Sequence, residues 1–244
     1  MSDVLLLLAF VAVAALYSSV GHAGASGYLG VMALVGFSAA VARPNALLMN
    51  VAVALVATWR FGKVPGLFSW RRFWPFAVVS VPAAWLGGSM PLHDRPFRVA
   101  VGLVLVFAAA RMLWHVPAQE APVERLPPLA GAFVAGAAIG LLSGWVGVGG
   151  GIFLSPLLIT LGWASTRQAS ALSAPFILVN SAAGLVGLGA AATHASPQLA
   201  LWIPAVLVGG LAGAAYGSRR GTSRALRLLL ATVLVVAAAK LLLS

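Results

Sequence analysis

The sequence predicts an all-α fold: a polytopic transmembrane helix bundle built as two inverted five-segment repeats, with broken helices or a hairpin at two glycine-rich motifs. Three observations lead there. The 244 residues are 61% hydrophobic and only 8% charged, whereas a soluble domain carries about 25% charged residues. The apolar residues form ten separate blocks, each near the ~20 residues that cross a bilayer. The two halves of the chain also resemble one another. A chain this short cannot supply a core that buries ten uniformly apolar helices, so they must face lipid.

Five blocks occupy 4–19, 26–40, 46–59, 73–90 and 97–114. Five more occupy 129–145, 152–163, 171–192, 199–216 and 225–243. The first follows Met1-Ser2-Asp3 and lacks the basic start of a cleaved signal peptide, so it reads as a retained helix. Segment 117–128 holds four prolines, two glutamates and one arginine, and is the one polar linker. It divides the chain into a first transmembrane repeat, 1–116, and a second, 129–244.

The repeat is legible in residues that rarely coincide by chance. Val20-Gly21 recurs 126 positions later as Val146-Gly147, and Gly24 and Gly36 meet Gly150 and Gly162 at the same offset. Asn50 meets Asn180 at an offset of 130; Pro75 meets Pro204 and Arg98 meets Arg227 at 129. Repeats of this kind characterise secondary transporters. If every block crosses with the amino terminus outside, eleven basic residues lie inside and four outside. Making the second block of each half re-entrant, with four crossings per half, reduces the best split to about even. The positive-inside rule therefore favours an odd number of crossings per half, and hence inverted repeats with segment 117–128 in the cytoplasm. A broken hairpin formed by the first two blocks preserves the odd count. The twelve residues of 152–163 span only about 18 Å as helix, which suits such a hairpin.

Gly147-Val148-Gly149-Gly150-Gly151 is poor helix, since each glycine disfavours helix by about 1 kcal/mol relative to alanine. Unwound backbone at membrane depth persists only where protein or a wet cavity covers it. A break of this sort exposes amides at the start of the next helix, where the positive dipole end suits an anion. The first half carries a weaker counterpart, Gly21-His22-Ala23-Gly24-Ala25-Ser26. The alternative is close helix packing through small residues, but packing motifs space their glycines by four and these are contiguous. Asn50 and Asn180 are repeat-related amides in apolar helices and either tie helices together or face a polar pathway, with Ser173 and Ser181 as companions of Asn180. His22, beside the first break, either carries a proton or bonds the unwound backbone.

The acids Asp3, Asp94, Glu120 and Glu124 all fall at block ends or in the linker. Intramembrane carboxylates of the kind that bind cations or relay protons are therefore missing, and a donor-rich, acid-free interior fits a small anion. Arg43 and Arg167, at block ends, either attract that anion or simply orient the helices. There are no cysteines, which excludes disulfides and thiolate metal sites. The scattered histidines offer neither a metal site nor a catalytic set, so no cofactor and no enzyme activity are expected. The net charge of +11 would suggest nucleic acid in a soluble chain, but here the basic residues lie between apolar blocks.

Gly140-Leu141-Leu142-Ser143-Gly144-Trp145-Val146-Gly147-Val148-Gly149-Gly150-Gly151, followed by Pro156, resembles the central signature of the sulfite exporter TauE/SafE (TSUP) family. Ser173-Ala174-Pro175-Phe176-Ile177-Leu178-Val179-Asn180-Ser181 and Arg43-Pro44-Asn45-Ala46-Leu47-Leu48-Met49-Asn50 are also similar to that family, and the resemblance covers essentially the whole chain. It implies a multi-pass carrier in the bacterial inner membrane that moves small sulfur-containing anions such as sulfite or sulfonates, usually outward. The eroded first-half motif departs from the family pattern, so the two halves need not act identically. A substrate site at Gly21, His22, Gly24, Ser26, Asn50, Gly147, Gly149, Gly150, Gly151, Ser173, Asn180 and Ser181 is the expectation. An anion channel of the same architecture, or a structural subunit, are the competing readings. A coupling proton or sodium ion, and a homo-oligomer, stay open as partners.

Overall fold

The computed structural model describes residues 3–91, 93–113, 123, 125–220 and 224–243. Among them the chain is helical and without strands: α1 (Asp3–Ser18), α2 (Ala25–Val35), α3 (Ala39–Gly62), α4 (Trp70–Ser89), α5 (Asp94–Leu113), α6 (Leu129–Val146), α7 (Gly151–Thr160), α8 (Thr166–Leu188, extended by a short 3-10 stretch to His194), α9 (Leu199–Arg220) and α10 (Arg224–Leu243). Each apolar block of the sequence becomes one helix. Four stretches are long and apolar enough to cross a membrane: Ala39–Gly62, Leu129–Val146, Thr166–His194 and Leu199–Tyr216. Most of the linker, 117–122 and 124, lies outside the described residues.

Helices α2 and α7 are too short to cross alone. Their 11 and 10 residues span about 16 and 15 Å, half the ~30 Å hydrocarbon core. Both fold back on the helix before them. The Tyr17 hydroxyl hydrogen-bonds Ser26 at 2.8 Å, and Phe10 meets Tyr28 edge-on with centroids 5.8 Å apart. Gly150 likewise returns against Ile139 and Ser143 of α6. Each pair, α1–α2 and α6–α7, is a helical hairpin broken at its tip.

Glycine rows set how closely the helices approach. Gly136, Gly140 and Gly144 lie directly on the backbone of Phe76, Ser80 and Ala84, so α6 runs parallel to α4. Gly209 and Gly213 lie on Val11 and Ala15, so α9 runs parallel to α1. The helices that correspond by position in the two halves cross in the opposite sense. Along α3 and α8, Asn45 meets Ser196, Asn50 meets Ser181, and Phe61 packs near Ala171. Along α5 and α10, Gly102 meets Leu242, whereas Leu105 and Ala237 meet one turn inward on either side of Gly30. Both pairs are antiparallel.

At one end, Arg72 of α4 donates to the Val123 carbonyl, and Val123 N donates to Gln168 Oε1 at 2.9 Å. Gln168 also completes a capping box with Ser165 at the start of α8, satisfying two otherwise orphan amides. The 60–72 loop, the linker residue Val123 and the start of α8 therefore share one side. Exposed Trp59 and Trp70 lie there, and Lys63 Nζ sits 3.6 Å over the Trp59 ring, an aromatic and basic collar of the sort found at membrane surfaces.

The close α4–α6 contact gives a direct test. A Cβ at Gly144 would collide with the Ala84 carbonyl, which is backbone and cannot rotate away. Gly144→Val is expected to lower stability by about 3 kcal/mol or more, the upper range for an overpacked core. Gly62→Ala, with nothing within 4 Å, should be neutral; thermal unfolding of both in detergent measures the contrast.

Candidate functional site

Two unwound segments, 19–24 and 147–150, separate the helices of the two hairpins. They meet where α3 and α8 cross. Asn50 lies at the middle of the 24-residue α3, about 18 Å from either end at 1.5 Å per residue.

The second break exists because its residues are glycines. Gly147, Gly149 and Gly150 have φ of 89°, 73° and 81°, the left-handed region that other residues enter only with strain. The absent side chains also let this backbone sit against its neighbours. A Cβ at Gly149 would lie 2.7 Å from Ser181 Oγ and collide with Asn50 Nδ2, and one at Gly150 would collide with Ser143 Oγ. The first hydrogen bonds of α7 run from Phe153 and Leu154 N to Gly150 O, at 3.0 and 3.1 Å. Among the described residues no acceptor takes the amides of Gly149, Gly150, Gly151 or Ile152, and all four residues are buried. Buried N–H groups without a partner are rare. These amides lie at the start of α7, the positive end of that helix.

The first break is satisfied in part, the buried amides of Ala23, Gly24, Ser26 and Gly27 having no acceptor among the described residues. Val20, Gly21 and His22 donate their amides to the last turn of α1 at 2.9–3.1 Å, and Ala25 N, opening α2, donates to Asn50 Oδ1 at 3.2 Å. Gly24, with φ 104°, is the N-cap of α2. Gly21 sits against Ser170 of α8, whose hydroxyl donates to Val20 O at 3.0 Å. His22 touches both breaks: Nδ1 lies 3.1 Å from Val20 O and Nε2 3.0 Å from Gly151 O.

The two asparagines occupy different situations. Asn50 Nδ2 donates to Ser181 Oγ at 2.9 Å and reaches Val148 O at 3.5 Å. With Ala25 N on its Oδ1, its side chain bridges both breaks and α8. Asn180 donates Nδ2 to Phe176 O of its own helix at 2.9 Å, while its Oδ1 is buried without a partner. Ser143 Oγ is in the same condition. Ser173 pairs with Ser155 at 2.7 Å, and Ser26 with Tyr17. The structure thus gathers Gly24, His22, Asn50, Ser181 and the second glycine run, whereas Ser173 and Ser26 engage local hydroxyl partners.

Arg43 lies in the second turn of α3, not at a block end, because α3 begins at Ala39. Its side chain is only 4% exposed. Nε and Nη2 both donate to Gly144 O, at 3.1 and 2.7 Å. Nη2 also reaches Gly87 O at 2.7 Å and Gly88 O at 2.9 Å, and Nη1 reaches Met90 O at 3.4 Å. These carbonyls end α4 and lie in the last turn of α6, the negative dipole ends. The apolar composition begins at 46, which left Arg43 outside the expected block; a lone arginine flanking an apolar block was the available signal. Arg167, by contrast, is exposed in the first turn of α8.

Two broken hairpins, a buried arginine held by backbone and four helices long and apolar enough to cross a bilayer are features of a polytopic helical membrane protein. The comparisons agree: the family described as Sulfite exporter TauE/SafE matches residues 5–241, and the chain belongs to that family. It is 41% identical over 241 residues to the probable membrane transporter protein y4hK of Sinorhizobium fredii (strain NBRC 101917 / NGR234), covering 97% of each chain. No solved structure matches.

Removing the Asn50 side chain strands the Ala25 amide and the Ser181 hydroxyl. Unsatisfied buried groups cost about 1–3 kcal/mol each, so Asn50→Ala should lower stability by about 2–4 kcal/mol. Thermal unfolding in detergent, with Asn50→Asp as the variant that keeps the Oδ1 acceptor, reads this directly.

Proposed function

We propose that the chain is a secondary carrier that moves a small oxyanion, of the sulfite or sulfonate type, outward across a bacterial inner membrane. The observation that carries this reading is the run of four buried amides, Gly149 to Ile152, without an acceptor among the described residues. Oriented N–H groups bind an anion without adding mobile charge, and they do so at the positive end of a helix. The buried Arg43 guanidinium adds to the positive field while being held in place by carbonyls. The family supplies the substrate class.

We further propose that 1–116 and 129–244 are inverted repeats joined by a cytoplasmic linker, 117–128. The antiparallel pairs α3–α8 and α5–α10 support this. A two-fold operation that carries a helix onto an antiparallel mate has its axis perpendicular to that helix, and hence in the membrane plane if the helix crosses. The sharing of one side by the 60–72 loop and Val123 fits the basic-residue count. Alternating access would then rock one half against the other about the shared crossing.

Two measurements test these readings. Single cysteines placed at 65 and 120 should react with membrane-impermeant reagents only from the cytoplasmic side; labelling of position 120 from outside overturns the topology. Purified protein in liposomes should move labelled sulfite against its gradient when a proton or sodium gradient is imposed. Purely downhill flux would make it a channel instead. Gly150→Val should reduce flux at least about a hundredfold, since it crowds the amides 149–152 and strains a left-handed backbone.

A further inference from the structure

The two repeat-related asparagines differ in a way that bears on which form of the anion is carried. Asn50 spends its Oδ1 on the Ala25 amide and its Nδ2 on Ser181. Asn180 spends only its Nδ2, on Phe176 O at 2.9 Å. That bond fixes the amide: a flip would set Oδ1 against the Phe176 carbonyl, oxygen against oxygen. Asn180 therefore presents an acceptor, and this oxygen is fully buried without a protein donor. The hydroxyl of Ser143, also fully buried, has no partner either. Ser143 belongs to the wall of the second break, and Asn180 lies on α8 among the residues that line it, Phe176, Ile177 and Ser181. Ser143 Oγ is against Gly150, and Gly150 lies beside the Phe176 ring, whose own carbonyl holds Asn180.

A bare oxyanion offers no hydrogen to an amide oxygen and would be repelled by it. A bound metal cation needs several oxygen ligands and would sit beside the Arg43 guanidinium, which is bonded to Gly144 O, the residue next to Ser143. The group that suits both neighbours is a hydrogen-bond donor carried on an anion. Resting on the anion-carrier reading above, we infer that the transporter takes its substrate in a hydrogen-bearing form. In that form the amides 149–152 receive the charged oxygens, and Asn180 Oδ1 with Ser143 Oγ accepts the substrate O–H. For sulfite this is hydrogensulfite, a monoanion with one hydroxyl, so each transported anion carries a proton with it.

The test uses purified protein in liposomes at mildly acidic pH, where sulfite is mainly hydrogensulfite. Labelled sulfite uptake is competed with unlabelled hydrogensulfite or with methanesulfonate, which has the same charge and a methyl group in place of the hydroxyl. The wild-type chain should be inhibited by hydrogensulfite at concentrations roughly 5- to 150-fold below those of methanesulfonate, the range for stranding a buried acceptor. Asn180→Leu, similar in volume, should bring the two inhibition constants together, and Ser143→Ala should narrow the gap in part. Equal competition in the wild type overturns the inference and leaves the carrier reading standing. So does an unchanged ratio in Asn180→Leu with lower thermal stability, which would make the two oxygens the partners of a structural water. Discrimination that tracks a sodium gradient and disappears with Asn180 would assign the oxygens to a cation and likewise overturn it. If Asn180→Leu does not accumulate, the wild-type ratio and Ser143→Ala decide. Absence of any sulfite flux in the wild type sinks the carrier reading and this inference with it.

Discussion

Every other feature of this protein depends on one constraint: hydrocarbon offers no hydrogen bonds, so backbone polar groups must be satisfied by the protein itself. The longer helices meet most of that constraint with their own i to i−4 hydrogen bonds. The two hairpins interrupt their backbones, and the groups exposed there need partners from elsewhere in the chain. Asn50 supplies them to the Ala25 amide and the Val148 carbonyl, Ser170 to Val20 O, and His22 lies between Val20 O and Gly151 O. Arg43 takes the carbonyls at the ends of α4 and α6. Apart from His22 with Val20, each of these side chains belongs to a segment distant in sequence from what it satisfies. The site and the fold are therefore one network.

Arg43 shows how a charge can be kept buried. An isolated buried ion is costly, yet no carboxylate is needed when several carbonyls at helix C-termini converge on one guanidinium, whose planar fork offers five donors. The same contacts fix the approach of α6 to α4, which the glycines at 136, 140 and 144 permit by leaving out side chains. A larger residue in that row would separate the helices and pull the carbonyls away from the arginine. Packing and electrostatics are coupled here through a few tenths of an ångström.

The halves are alike in architecture and unlike in chemistry. The first break returns the amides of Val20, Gly21 and His22 to α1 and that of Ala25 to Asn50. Each break leaves four buried amides without an acceptor among the described residues, 149–152 in the second and those of Ala23, Gly24, Ser26 and Gly27 in the first. The asparagines carry the contrast, Asn50 fully engaged and Asn180 with a free acceptor.

Much of this was legible in the sequence, because it rests on local rules. Apolar block lengths gave ten helices, contiguous glycines gave the break at 147–150, and the shortness of 152–163 gave the hairpin. What only the tertiary structure decided was which polar groups are used up. Asn50 and Asn180 are the same residue at matched positions, and nothing near them in sequence says that one bonds Ala25 and Ser181 while the other keeps a bare oxygen. Arg43 read as a flanking charge because the apolar block begins at 46, yet the helix starts at Ala39 and packs the guanidinium against carbonyls 44 to 101 residues away. Periodicity and composition record how a segment meets lipid. The pairing of a buried donor with its acceptor depends on distances between segments, and those exist only once the helices have packed.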